Sequence, residues 1–282
     1  MNAILANTTY QAVYDDSIID AMRFARENDF AGVQLAVEMP ALSHERLSAA
    51  QRDAVGRYRE EYNLAISLRA GGGSLMETSP TLAAGTFEYY KGLFQFADDV
   101  AAAVVTLPLS ALPACPADTE PRLDYPPQSL AARLAALNAN LRRLINLAAG
   151  RFVLAVECVR LARPVADVLV PLLGDAGLAI CWDLARTYRR APHLPVYENA
   201  QRWEIDPVAE AFFVKNLAHV RQARLHDLRG DHAHCVIGSG ELDVMRFLPR
   251  LANANVREFI IDVRPKEKAL ESLRNLKRLL GC

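Results

Sequence analysis

The chain lacks most of the features that would place it quickly. Its five cysteines (Cys115, Cys158, Cys181, Cys235 and Cys282) are odd in number and contain no Cys-x-x-Cys pair. That pattern excludes a zinc-ribbon arrangement and reads as reduced thiols, not a disulfide framework. No apolar run approaches the roughly 18 residues of a membrane span. The opening MNAILANTTY has no basic segment followed by an apolar stretch and a small-residue cleavage site, so a cytoplasmic protein is expected. Charge of one sign is missing as well. The 32 Lys and Arg against 33 Asp and Glu leave a net charge of -1, which offers no general attraction for nucleic acid or an anionic membrane.

What is there is an apolar, regular chain. Its 282 residues are 51% hydrophobic, enough for one large core, and a single domain over residues 1–282 is expected. Short apolar runs recur at Ala3–Asn7, Gly32–Val37, Leu64–Arg69, Ala103–Leu107, Phe152–Glu157, Leu178–Asp183, Val220–His226 and Glu258–Val263. They read as strands covered on both faces. Segments of helical period separate them. Ile18, Ala21, Met22 and Ala25 share one face of Ser17–Asn28. Leu130, Leu134, Leu137, Leu141, Leu144 and Ala148 form a stripe, and Leu270, Leu273, Leu276 and Leu280 repeat at spacings of three and four. Ser43 ahead of Glu45 and Arg46, and Asp206 ahead of Pro207, read as helix starts.

Eight strand–helix units in this length predict an α/β fold, a (β/α)8 TIM barrel. An open dinucleotide-binding sheet is disfavoured, because the first strand runs into Thr8, Thr9 and Tyr10 with no Gly-x-Gly-x-x-Gly. Long loops at Gly71–Pro80, Pro108–Gln128, Thr187–Arg202 and Arg229–Glu241 each follow a strand, which builds up the C-terminal face where barrels carry their sites. With six prolines in 21 residues, Pro108–Gln128 reads as a stiff cover.

The strand ends therefore share one space. Glu38 ends the second strand, Arg69 the third, Glu157 the fifth and Asp183 the sixth. Arg224, His226 and Asp227 end the seventh, and Asp262 and Arg264 the eighth. Converging carboxylates repel, so Glu157, Asp183 and Asp262 call for a shared cation, a proton or a guanidinium. Trp182, by alternation, points outward into the packing. Cys158 and Cys181 have no adjacent base and read as buried, inert thiols. Gly71–Gly73 lacks a following Lys–Ser/Thr and reads as a flexible loop, not a phosphate cradle.

The ordered set of Glu157, Cys181-Trp182-Asp183, Leu225-His226-Asp227 and the run Ile237–Asp243 (IGSGELD), closed by Asp262, resembles the xylose-isomerase-like barrels. These include sugar-phosphate isomerases and epimerases and apurinic-site nucleases of family 2. The resemblance spans the chain, with its specific motifs in the second half. It implies a small sugar or sugar-phosphate substrate, a divalent metal (Mn, Co, Zn or Mg), and a homo-oligomer for which the upper-face loop Pro108–Gln128 is the candidate contact. In such barrels Glu, Asp, His and Glu hold the ion. The matching positions here are Glu157, Asp183, Arg224 and Asp262, and Arg186 stands where a histidine is common.

Arginine stays charged and cannot ligate a metal. Two readings follow. Arg224 fills the metal's place in a metal-free relative, or the ion sits one step outward on Glu157, Asp183, His226 and Asp262, since residues 224 and 226 share a strand face. On the enzyme reading Glu157 and Asp262 are the acid–base pair, and Glu38, Arg69, Arg186, Arg224, His234 and Arg264 are the candidates to meet substrate. The resemblance also leaves open metal-assisted phosphodiester hydrolysis, which His232 and His234 favour and the neutral charge disfavours.

Overall fold

The computed structural model describes residues 3–7, 17–109, 127–158, 160–190 and 203–281. Eight parallel strands close into a barrel: β1 (Ala3–Asn7), β2 (Gly32–Ala36), β3 (Ala65–Arg69), β4 (Val104–Leu109), β5 (Val153–Cys158), β6 (Leu178–Asp183), β7 (Val220–Leu225) and β8 (Glu258–Ile261). Each pairs with its sequence neighbours, and β8 closes on β1 with Ala3 opposite Glu258. The helices α1 (Ile18–Glu27), α2 (Ala49–Tyr62), α3 (Pro80–Asp99), α4 (Pro127–Ala148), α5 (Arg163–Leu169), α6 (Pro207–Lys215), α7 (Leu248–Ala252) and α8 (Lys266–Leu280) follow the strands in turn. The chain thus has the expected (β/α)8 architecture. Among the described residues no helix is long and apolar enough to cross a membrane.

Local chemistry explains where the helices begin. Ser17 accepts the Asp20 N–H, and Asp206 accepts those of Val208 and Ala209 ahead of Pro207. The expected start at Ser43 is not used: residues 43–46 form a turn, and α2 begins after Ser48. There Ser48 and Gln51 cap each other reciprocally, so two backbone N–H groups are satisfied at once.

Outside the strands, Leu137, Leu141 and Leu144 of α4 and Leu273 and Leu276 of α8 are buried against the barrel. Trp182 points outward into the same layer. It stacks on Phe213 at 4.8 Å, meets Phe247 edge-on at 5.3 Å and donates to Thr187 Oγ1 at 2.7 Å.

Two of the expected loops instead carry small antiparallel ribbons over the C-terminal face, Tyr188–Arg190 with Trp203–Ile205, and Asp227–Arg229 with His232–Cys235. Strands of three or four residues leave no period to read, so pairing decides them. Most of Pro108–Gln128 and of Thr187–Arg202 lies outside the described residues.

The second ribbon is fixed by Asp227. Its buried carboxylate accepts backbone N–H groups of Leu228 (2.8 Å), Gly238 (3.0 Å), Gly240 (2.9 Å) and Leu242 (3.1 Å). Glycine is required at 240, because a Cβ there would lie 2.3 Å from Asp227 Oδ1 and from the Leu228 carbonyl. The motif Leu225-His226-Asp227 with Ile237–Asp243 is therefore a fold device that holds the histidine loop over the mouth. Replacing Asp227 with Ala strands four backbone donors, two of them buried at Leu228 and Leu242, and a loss of about 3 kcal/mol is expected in urea unfolding. A stability within about 0.5 kcal/mol of the parent would refute this role.

Candidate active site

Much of the barrel interior is polar, beside a small apolar cluster of Val104, Ala155, Ala179 and Cys181. Asn7, Gln34, Ser67, Thr106, Gln222 and Glu258 are all buried there, in a space that barrels of this kind usually fill with Val, Ile and Leu. Above them, at the C-terminal ends of the strands, lie the charged groups.

Arg224 is the centre. A register shift between β6 and β7 sets it opposite Asp183, while Ile260 of β8 is its partner on the other side. Its side chain is only 3% exposed. Nη1 donates to Asp262 Oδ2 at 2.6 Å, Nη2 donates to Gln34 Oε1, and Nε lies 3.5 Å from Glu157 Oε2. A second guanidinium holds Glu157 from the rim. Arg69 donates from Nε and Nη2 to the two Glu157 oxygens at 2.9 and 3.2 Å, and from Nη1 to Glu38 at 2.9 Å.

Asp183 accepts the Ala185 N–H at 3.1 Å. It faces His226 Nε2 at 3.4 Å and Arg186 Nε at 3.5 Å. Arg186 itself is 44% exposed at the mouth. Arg264 is half-buried, with its backbone N–H directed to the His234 carbonyl, and His232 is exposed away from these contacts.

His234 reaches the site from the ribbon through a left-handed backbone (φ 60°), an uncommon conformation for a residue with a side chain. Its N–H donates to His226 Nδ1 at 3.2 Å, and the two rings stack at 4.4 Å. His234 Nδ1 lies 2.9 Å from the Asp262 carbonyl oxygen and 3.3 Å from its carboxylate. A carbonyl only accepts, so Nδ1 carries the proton, and in the neutral ring the lone pair is on Nε2.

These contacts set the ionisation of the acids. Burial pushes the Asp262 carboxyl up, but the Arg224 guanidinium, then His234, outweigh it and hold it well below the usual range. Burial likewise works against ionised Asp183, and His226, Arg186 and Arg224 bring it below its ordinary value. His226 is moved up, because Asp183 outweighs its burial. Burial, with Glu157 nearby, pushes the Cys158 thiol up to about 12, in line with an inert thiol.

The arrangement bears on the metal that the fold family implies. Between Glu157 and Asp262 a cation does not fit, because the guanidinium of Arg224 occupies that place and is hydrogen-bonded there. One step outward the donors are different: His226, His234 and Asp262 offer ring nitrogens and a carboxylate oxygen within 4.8 Å of one another. The structure thus brings Glu38, Arg69, Glu157, Asp183, Arg224, His226, His234 and Asp262 together. Sequence reasoning missed Gln34, the third partner of Arg224. Its signal was a polar residue in an otherwise apolar strand.

No family model matches the chain, and no curated protein matches it in sequence. Solved structures match over its whole length. A D-tagatose 3-epimerase-like protein is 16% identical with a TM-score of 0.72, covering 100% of this chain and 97% of that one. A 3-keto-D-glucoside 4-epimerase from E. coli is 17% identical with a TM-score of 0.70, covering 99% and 100%. An AP endonuclease of family 2 from Brucella melitensis is 13% identical with a TM-score of 0.68, covering 99% of each chain. At such identities the likeness concerns the fold alone, a closed (β/α)8 barrel that these proteins share with this chain.

Proposed function

We propose that this protein is a sugar isomerase or epimerase that moves a proton at the carbon beside a carbonyl, with Arg224 as the resident cation of the site. The observation that carries the reading is the enclosed guanidinium between Asp262 and Glu157. It neutralises two carboxylates that could not otherwise share the barrel mouth, with the fork geometry that suits arginine. The epimerase names among the structural neighbours support the substrate class, a small polyhydroxylated carbonyl compound.

His234 is the base of this reading. Its Nε2 takes the proton from carbon, Nδ1–H stays on the Asp262 carbonyl, and the Asp262 carboxylate stabilises the imidazolium that forms. Arg69 and Arg186 at the rim supply N–H groups to the oxygen that gains charge. Returning the proton to the neighbouring carbon, while the hydroxyl proton passes to the former carbonyl oxygen, gives isomerisation. Delivering a proton to the opposite face gives epimerisation; both Glu157 oxygens already accept from Arg69, so water is the donor on that face and His234 releases its proton to solvent.

The donor set of His226, His234 and Asp262 favours a second reading, in which a divalent ion sits outward of Arg224 with Asp183 and Glu157 beside it. Such an ion would polarise the substrate's carbonyl and hydroxyl oxygens.

One experiment separates the two. Chelator-treated protein is incubated in D2O with ketoses, aldoses and 3-keto-glycosides, and deuterium entering carbon is read by NMR. Exchange that persists in chelator and falls about 10²–10⁴-fold in His234→Ala is expected. Exchange that needs added metal would transfer the site to the outward ion. Turnover of phosphodiesters without exchange on any sugar would overturn the isomerase reading.

A further inference from the structure

Below Arg224 the barrel holds a continuous run of buried polar side chains that the proposed proton transfer does not use. Gln222 lies two residues before Arg224 on β7, and Glu258 is its partner on β8. Gln222 Nε2 donates to Glu258 Oε2 at 2.7 Å. Gln222 Oε1 accepts from Thr106 Oγ1 at 2.7 Å and from Gln34 Nε2 at 2.9 Å. Gln34 Oε1 in turn accepts from Arg224 Nη2 at 2.5 Å.

The direction of every link is fixed from both ends, by the carboxylate at its foot and by Arg224, which can only donate. An ionised carboxylate can only accept, so Gln222 must turn its NH2 toward Glu258. Its carbonyl oxygen then faces Gln34, which must present NH2 downward and its own carbonyl oxygen upward to Arg224. Reversing either amide sets donor against donor, at Arg224 or between the two glutamines. Such a chain is also cooperative, each bond polarising the next.

We propose that Glu258 is a positioning residue for Arg224, acting through Gln222 and Gln34, so that its ionisation sets how firmly the guanidinium is held at the mouth. Burial raises the Glu258 carboxyl to about 7, opposed by hydrogen bonds from Gln222 and Ser67 and by the charge of Arg257, the residue before it. The charges acting on Arg224 are those of Asp262, Glu157 and Asp183, with the Cys181 thiol beside them, so the two ends are joined by amides and not by direct contact. Once protonated, Glu258 is a weaker acceptor for Gln222, the two amides keep their orientation but are less polarised, and the Gln34 oxygen holds the Arg224 N–H less strongly. The site is firm above neutral pH and looser below it.

The test uses the intact protein and needs no substrate, so it stands or falls apart from the proposed reaction. The carboxyl signal of Glu258, assigned by its loss in Glu258→Gln, is titrated by NMR in 13C-glutamate-labelled protein. Replacing Arg224 with Lys is expected to move its midpoint by about half a pH unit or more, and to move it far less when Gln34→Met has cut the chain. A companion measurement leaves Arg224 unaltered: its 15N Nε signal should follow the Glu258 midpoint in the parent and stay flat in Glu258→Gln and Gln34→Met. Equal midpoint shifts with and without Gln34 would mean a through-space field and overturn the relay. So would an Arg224 signal that ignores Glu258 in the parent.

Discussion

Arg224→Met is expected to destabilise the protein by about 3–5 kcal/mol, because it leaves Asp262 and Glu157 charged and buried with their shared partner removed. Arg69 still holds Glu157 in two-pronged fashion and His234 still faces Asp262, so the loss falls short of what two bare carboxylates would produce. The informative comparison is Arg224→His. An imidazole at this position, with Glu157, Asp183 and Asp262 around it, completes the donor set that the family resemblance places at these strand ends. Thermal stability that rises with added Mn2+ or Zn2+ is expected for this variant. The gain should be about 2.7 kcal/mol at a metal concentration 100-fold above the dissociation constant. Calorimetric titration of both proteins checks it. If the parent binds the ion as tightly as the variant, and Glu157→Gln leaves that binding intact while His234→Ala removes it, the outward site is the correct one.

Glu258→Gln is expected to change the pH dependence of stability by about 3 kcal/mol. The carboxyl stands at about 7 in the folded protein against an ordinary 4.5. Between those values the folded state binds more protons than the unfolded one, so stability falls as pH rises through the window, and above 7 the whole penalty is present. At about 1.4 kcal/mol per unit the difference comes to about 3 kcal/mol. Glutamine keeps an oxygen for the Gln222 N–H and cannot ionise. The stability of the variant relative to the parent should therefore improve by about that amount between about pH 4 and about pH 8, in urea unfolding at the two ends. A relative stability independent of pH would show that Glu258 is not a titrating buried acid.

The elements that the sequence made legible share one property: each is written in a local repeat. The β1 and β6 runs Ala3–Asn7 and Leu178–Asp183 coincide with their expected bounds, the repeat of Leu270, Leu273, Leu276 and Leu280 lies on the helix Lys266–Leu280, and Asp206 caps as its position promises. Ser43 misled because the reciprocal Ser48–Gln51 pair stands only five residues on and satisfies more of the first turn. Period two also told which strand-end residues share a face, and so brought Glu157, Asp183, Arg224 and Asp262 into one space.

The same period carried a signal that went unread. Gln222 lies two positions below Arg224, and Glu258 lies four below Asp262, on the inward face of their strands. Polar residues at even spacing from a site, inside apolar strands, mark a polar interior. Gln34 follows the same logic on β2. None of the three announces itself by composition, because a single Gln in GVQLA or VRQARL looks like ordinary variation.

By itself, then, the sequence determined the number and order of the strand–helix units, their parallel closure, and the identity of the charges gathered at the mouth. Short-range sterics and the burial of alternate side chains act between residues close in the chain, so they can be read along it. Only the tertiary structure decided which charge meets which. Arg224 reaches Asp262, Glu157 and Gln34 across gaps of 38, 67 and 190 residues, and His234 finds Asp262 28 residues away. Hydrogen bonds and ion pairs are settled within a few tenths of an ångström, and that precision comes from barrel closure, from the register shift between β6 and β7 and from the Asp227 anchor of the histidine ribbon.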